Sequence, residues 1–186
     1  ALDAVLVAVP NDCHRELCIA CMNAGKHVIC EKPVALNSAE LDDMIASSEA
    51  NGVLFTVHQN RRMDEDYRII KKVFDENMIG NVFRIESRVQ GSRGIADTWR
   101  RRKMHGGGML YDWGVHLIDQ MLQLIPEKIC SVNCVCTHIT NTEVDDGFQL
   151  WIEYHSGKKA YCEVGTYNFA EMPRFYMRAK NGTAII

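Results

Sequence analysis

Residues 4–33 read AVLVAVPNDCHRELCIACMNAGKHVICEKP, and their pattern decides the first half of the fold. Ala4 to Val9 is an unbroken apolar run, the pattern of a parallel strand covered by helices on both faces. Pro10-Asn11-Asp12 ends the run and supplies an N-cap, and the helix that follows reaches Ala24 and stops at Gly25. His27 to Cys30 resumes as a strand, which completes a βαβ unit. After Glu31-Lys32-Pro33, the capping box Asn37-Ser38-Ala39-Glu40 opens a helix to about Ala50, Asn51-Gly52 turns the chain, and Val53 to Val57 makes a third strand. The outcome is a doubly wound parallel sheet, which binds ligands at the carboxyl ends of its strands.

From Asp64 the period changes. A helix is predicted to about Asn77, a strand from Asn81 to Gln90, and a helix from about Gly107 to Leu124. Strands then follow near Lys128 to His138, Asp146 to His155, Lys159 to Asn168 and Arg174 to Ala179, joined by short turns such as Ser156-Gly157. Such a succession forms an antiparallel sheet. The fold class is therefore an α/β partial domain over residues 1–60, followed by an α+β domain with an open, mainly antiparallel sheet over residues 61–186.

The bulk properties exclude several functions. With 47% hydrophobic and 24% charged residues, the 186-residue chain has the balance of a soluble globular protein. A net charge of -3 gives no general attraction for nucleic acid, and the run Arg100-Arg101-Arg102-Lys103 lacks interleaved aromatics apart from Trp99. No apolar stretch is long enough to span a bilayer, and Ala1-Leu2-Asp3 does not open a signal peptide, so a cytoplasmic setting is expected. Eight cysteines then read as reduced thiols. Cys13, Cys18 and Cys21 have a spacing able to serve an iron-sulfur cluster, but they also fall on the small apolar positions of the first helix, and packing is the preferred reading. Cys130, Cys134 and Cys136 share a strand face with Val132 and are read as packed in the same way.

Two segments carry chemistry. Lys32 sits at a strand's carboxyl end, aimed by Pro33, which holds the preceding residue extended; an amine so placed can hold a hydroxyl or stabilise an alkoxide. In GGGMLYDWGVHLID (106–119), three glycines precede a helix on which Asp112 and His116 are four residues apart. They can serve as a general base with its orienting carboxylate, or, with Asp119, as metal ligands.

These segments, with VAVPNDCH (7–14), AGKHVICEKP (24–33), HQNRR (58–62), IGNVFRIE (79–86) and Trp99-Arg100, resemble the glucose-fructose oxidoreductase and inositol dehydrogenase family, also written Gfo/Idh/MocA. They occur in the family's order across nearly the whole chain. The resemblance implies a Rossmann-type domain, an NAD- or NADP-dependent oxidation of a sugar, inositol or related polyol, no metal, and homo-oligomers formed through the antiparallel sheet. It implies that Lys32, Asp112 and His116 are catalytic, His116 taking the hydroxyl proton, and that Pro10, Asn11, His14, Glu31, Lys32, Trp99 and Arg100 line the cofactor.

The chain departs from the family in one respect, since it holds no G-x-G-x-x-G turn to seat a pyrophosphate. It therefore reads as a fragment, truncated at both ends and inactive by itself. The missing turn also motivates an alternative: a non-catalytic dimerisation or interaction module built on the antiparallel sheet.

Overall fold

A computed structural model describes residues 2–186 and divides the chain into two compact units, residues 1–59 with 97–107 and residues 60–96 with 108–186. The division falls beside Asn60, but a second exchange, the return of Asp97–Gly107 to the first unit, has no signal in hydrophobic period.

The first unit runs β1 (Ala4–Val7), a 3-10 turn (Asn11–Cys13), α1 (His14–Asn23), β2 (His27–Cys30), α2 (Ser38–Asn51) and β3 (Phe55–Val57). Its strands pair in parallel in the order β1-β2-β3. Asn37 caps α2 by accepting the Glu40 amide at 3.0 Å, Glu40 returns the favour by accepting the Leu36 amide, and Gly52 closes the helix at φ 62°. Val7, Val28 and Cys30 turn inward and pack with Cys18 and Met22 of α1 and Met44 of α2.

Only one face of this sheet is covered, contrary to the reading of Ala4 to Val9 as a strand shielded on both sides. Leu6 is 57% and Ile29 39% exposed on the other. α1 and α2 pack against each other and on the same inward side chains of the strands, so both lie on one face, as crossovers of one hand place them when the strand order advances in one direction.

The second unit contains a 3-10 turn (Asn60–Met63), α3 (Glu65–Asp75), β4 (Val82–Gln90), a π turn (Leu110–Gly114) continuous with α4 (Val115–Leu124), and then β5 (Ile129–Thr137), β6 (Gly147–Tyr154), β7 (Lys159–Gly165), β8 (Phe175–Ala179) and β9 (Gly182–Ile185). The sheet order is β5-β6-β7-β4-β8-β9. Every pairing is antiparallel except β4 with β7, whose parallel register runs from Arg84 with Lys159 to Gln90 with Gly165. The sequence reading lacked this insertion of β4 between later strands, and also the short β9.

α3 and α4 cover one face of this sheet. Tyr67, Ile70, Leu117 and Met121 from the helices meet Ile85, Phe148, Ile152, Cys162, Phe175 and Met177 from the strands. Each large apolar side chain so enclosed stabilises the unit by roughly 1.5–3 kcal/mol. The other face is polar: Glu86 pairs with both Arg84 and Arg88, Arg88 also meets Glu163, and Trp151 packs on Tyr161 with ring centroids 5.2 Å apart. Cys130, Cys134 and Cys136 are exposed, not packed, because β5 is the edge strand and α3 and α4 do not reach over it.

Candidate active site

In the first unit the carboxyl ends of the parallel strands gather one set of candidate residues. Pro10 and Asn11 follow β1, Glu31 and Lys32 follow β2, and His58 follows β3. The Lys32-Pro33 peptide is cis. Asn11 is buried and donates from Nδ2 to the Gly106 carbonyl at 2.8 Å, which ties the returning segment to the β1 end. Asp12 supports the same tie through His105, 3.0 Å away. Trp99 and Arg100 lie in that segment on a 3-10 turn whose cap is the Thr98 hydroxyl, and the Arg100 guanidinium stacks over the Trp99 ring at 4.6 Å.

His14 stands differently. Its ring is 0% exposed, with Nδ1 2.8 Å from the Pro33 carbonyl and Nε2 3.1 Å from that of Val9. From inside the unit it braces the ends of β1 and β2. Glu31 is held from two sides, accepting the Lys32 amide and lying 2.7 Å from Nδ1 of His58. Burial pushes its carboxyl up, but these partners outweigh burial and leave it below the usual carboxylate range.

In the second unit Asp112 and His116 ride on the segment from the π turn into α4. The π turn is a local widening that an i, i+4 reading of 112 and 116 does not foresee, and such turns recur at functional sites. Gly108, at φ 105°, precedes it; a side chain there would collide with the Asp145 carboxylate, which accepts the Leu110 amide at 2.8 Å. Gly114 lets the segment approach Phe148 of β6, where a methyl group would sit 3.1 Å from the ring. Asp112 is half-buried and His116 only 4% exposed, with the imidazole edge-on to Trp113 at 5.9 Å between centroids. Asp119 is taken by Arg62 through two hydrogen bonds of 2.8 and 2.5 Å, so its oxygens already serve a structural ion pair.

A cleft of about 710 Å³ opens in the second unit, lined by Arg61, Gln90, Trp113, Asn168, Phe169 and Arg174 among others. Its cations are paired: Arg61 with Asp64 at 2.8 Å and Arg174 with Asp66 at 3.4 Å. Behind it Gln120, 0% exposed, donates to the Arg61 carbonyl at 2.9 Å and accepts from Arg174 at 2.8 Å. Burial lowers the pKa of Arg174, with Asp66 opposing. Sequence reading quoted His58, Arg61 and Arg62 without a task and passed over Gln120 and Asp145. Gln120 alone left a trace, four residues beyond His116 on the same helix.

A dinucleotide fits the first unit as a class of ligand, since Asn11, Glu31 and Lys32 offer mixed donors and acceptors at the carboxyl ends of β1 and β2, the edge at which an open parallel sheet takes its ligand. Comparison with known proteins agrees. Residues 1–59 match the model of an oxidoreductase family with an NAD-binding Rossmann fold, and residues 67–185 match that of the GFO/IDH/MocA C-terminal domain. A scyllo-inositol 2-dehydrogenase (NADP(+)) of Bacillus subtilis is 32% identical over 100% of this chain and 52% of its own. A myo-inositol 2-dehydrogenase of Thermotoga maritima is 35% identical over 69% of this chain and 37% of its own. The crystal structure of an NAD-binding protein from Listeria innocua superposes with a TM-score of 0.97 at 49% identity, covering 99% of this chain and 55% of that one. The chain thus spans about half the length of the curated relatives it matches. With both units matched in order, the chain belongs to the GFO/IDH/MocA family of NAD(P)-binding oxidoreductases.

Proposed function

We propose that this chain carries the catalytic groups of an NAD(P)-dependent dehydrogenase that oxidises a sugar, inositol or related polyol. The observation that carries the proposal is the similarity to a scyllo-inositol 2-dehydrogenase over the whole chain, including the segments that hold Lys32 after β2 and His116, nearly buried, on the helix of the second unit. When bound, the dinucleotide supplies hydride acceptance. Pro10, Asn11, Glu31, Trp99 and Arg100 line it, and His14 keeps the ends of β1 and β2 in place from within. The imidazole of His116 takes the proton of the reacting hydroxyl, Lys32 polarises that hydroxyl's oxygen, and Asp112 orients the pair. A base acts best where water is scarce, and the burial of His116 supports that role.

The paired charges of the cleft favour a neutral polyol over an acidic sugar, because each guanidinium already faces a carboxylate and the lining offers donors and acceptors in balance. Homo-oligomers through the open face of the sheet and a reducing, cytoplasmic setting complete the proposal, the latter in keeping with eight unpaired thiols.

The test is nicotinamide reduction by the full-length protein across a panel of inositols and sugars. Lys32→Met and His116→Gln are expected to lower kcat by roughly 10²–10⁴-fold with unfolding curves unchanged. Normal turnover in both would remove the assignment.

A further inference from the structure

Besides placing Arg61 in the cleft, the turn Asn60–Met63 grips the helix of Asp112 and His116 at three points within the second unit. Arg62 forks onto Asp119 with bonds of 2.8 and 2.5 Å, and Asp119 in turn raises the pKa of Arg62. The Arg61 guanidinium lies 4.1 Å over the Trp113 ring while its fork reaches Asp64 at 2.8 Å. The Arg61 carbonyl accepts from Gln120 at 2.9 Å. Arg174 fixes the orientation of that amide. A guanidinium only donates, so it claims the Gln120 oxygen and leaves the amide nitrogen for Arg61. A helix held at positions 113, 119 and 120 can neither roll nor slide against the turn. Trp113 passes the constraint on, since its ring meets the His116 imidazole edge-on at 66°.

We infer that Arg61 is a positioning residue for His116. By holding the Trp113 indole under its guanidinium, it fixes the plane of the imidazole and hence which ring nitrogen is presented for proton transfer. A cation so placed is suited to this because it is attracted to the negative face of the indole. The inference rests on the dehydrogenase reading only for what His116 does with the proton; the clamp itself is a statement about the second unit.

The test has two readouts. The first is the imidazole ¹⁵N spectrum of His116 in the full chain, assigned by the loss of its signals in His116→Gln. The second is steady-state turnover of the full-length enzyme. Arg61→Met is expected to shift or broaden the His116 signals and to lower kcat about tenfold, as a small misplacement of a proton-transfer group does. Arg61→Lys keeps a cation over the indole and is expected to retain wild-type His116 signals and most of kcat. Should Arg61→Met not fold, Trp113→Leu is expected to give the same spectral change. Wild-type His116 signals in whichever of these two folds would overturn the inference, as would Arg61→Lys proving as damaging as Arg61→Met. An active His116→Gln enzyme would sink the dehydrogenase reading instead, while the spectrum still decides the clamp.

Discussion

Asp145 and Asp146 are neighbours in the chain and are driven in opposite directions. Burial raises the pKa of Asp145 despite the Leu110 amide that it accepts. Asp146 is 0% exposed, and burial would raise it too, but the amides of Thr140, Ile139 and Asn141 outweigh burial and hold it below the usual carboxylate range. One residue thus closes the start of the helix that bears Asp112, and the next gathers the loop between β5 and β6.

Their contributions to acid stability have opposite signs. The depressed group, Asp146, binds its proton less tightly folded than unfolded; its contribution is present above the unfolded value, about 4, and is lost as pH falls through the folded one. The raised group, Asp145, contributes stability that declines as pH rises from about 4 through its folded value. In denaturant titrations between roughly pH 2 and 6, Asp146→Asn is expected to flatten the acid limb of the stability curve and Asp145→Asn to steepen it. At neutral pH Asp146→Asn should also cost about 1–3 kcal/mol, because an amide cannot accept what the carboxylate accepts.

Gly114 and Phe148 are coupled by space. A methyl group on Gly114 would lie 3.1 Å from the Phe148 ring and 3.0 Å from Leu110, closer than packed carbons sit comfortably. Gly114→Ala is expected to cost about 1–3 kcal/mol in the wild-type protein and measurably less in a Phe148→Leu background, where the ring edge is gone. Equal costs in the two backgrounds, read from a double-mutant cycle by urea unfolding, would show that the contact does not limit the approach of helix and sheet.

Asn11 anchors the segment that carries four cationic residues in a row. Its Nδ2 bond to the Gly106 carbonyl is buried, so Asn11→Ala strands that carbonyl and loosens residues 97–107. Trypsin cleaves after Arg and Lys once a segment opens locally, and a lost bond worth about 1.4 kcal/mol raises the open fraction tenfold. Limited tryptic digestion is expected to cut the variant at 100–103 about ten times faster, with the second unit's own sites unaffected.

The proposed oligomer contact is testable at Trp151, which lies on the open sheet face against Tyr161 and is 38% exposed. Aromatic anchors at the centre of an interface contribute the most to association. Trp151→Glu is expected to convert an assembly in sedimentation equilibrium to monomers without lowering the unfolding midpoint at low protein concentration. An unchanged mass would place the contact elsewhere.

Local chemistry made much of this fold legible. The apolar run of β1, the Asn37 to Glu40 capping box and the glycine at 52 each specify their element through neighbours in the chain, and each element stands where its residues put it. The parallel pairing of β4 with β7 was not legible, because alternation along Val82–Gln90 states which face is buried and is silent about the partner strand. The return of residues 97–107 to the first unit rests on side-chain bonds between residues far apart in sequence, Asn11 to Gly106 and Asp12 to His105. At the candidate site the motif residues were visible and their supports were not. Gln120 and Arg174 act as a pair only once β8 and α4 are packed together, and no spacing rule joins 120 to 174.

The central place of β4 sets an order of events as the polypeptide emerges. Residues 82–90 are made early, but their hydrogen-bonding partners are β7 at 159–165 and β8 at 175–179. One edge of the strand therefore waits for residues 159–165 and the other for residues 175–179, both long loop closures. Over that interval Val82, Ile85 and Val89 are open to unwanted pairing, and the charges that flank them, Arg84, Glu86 and Arg88, are what stands guard against it.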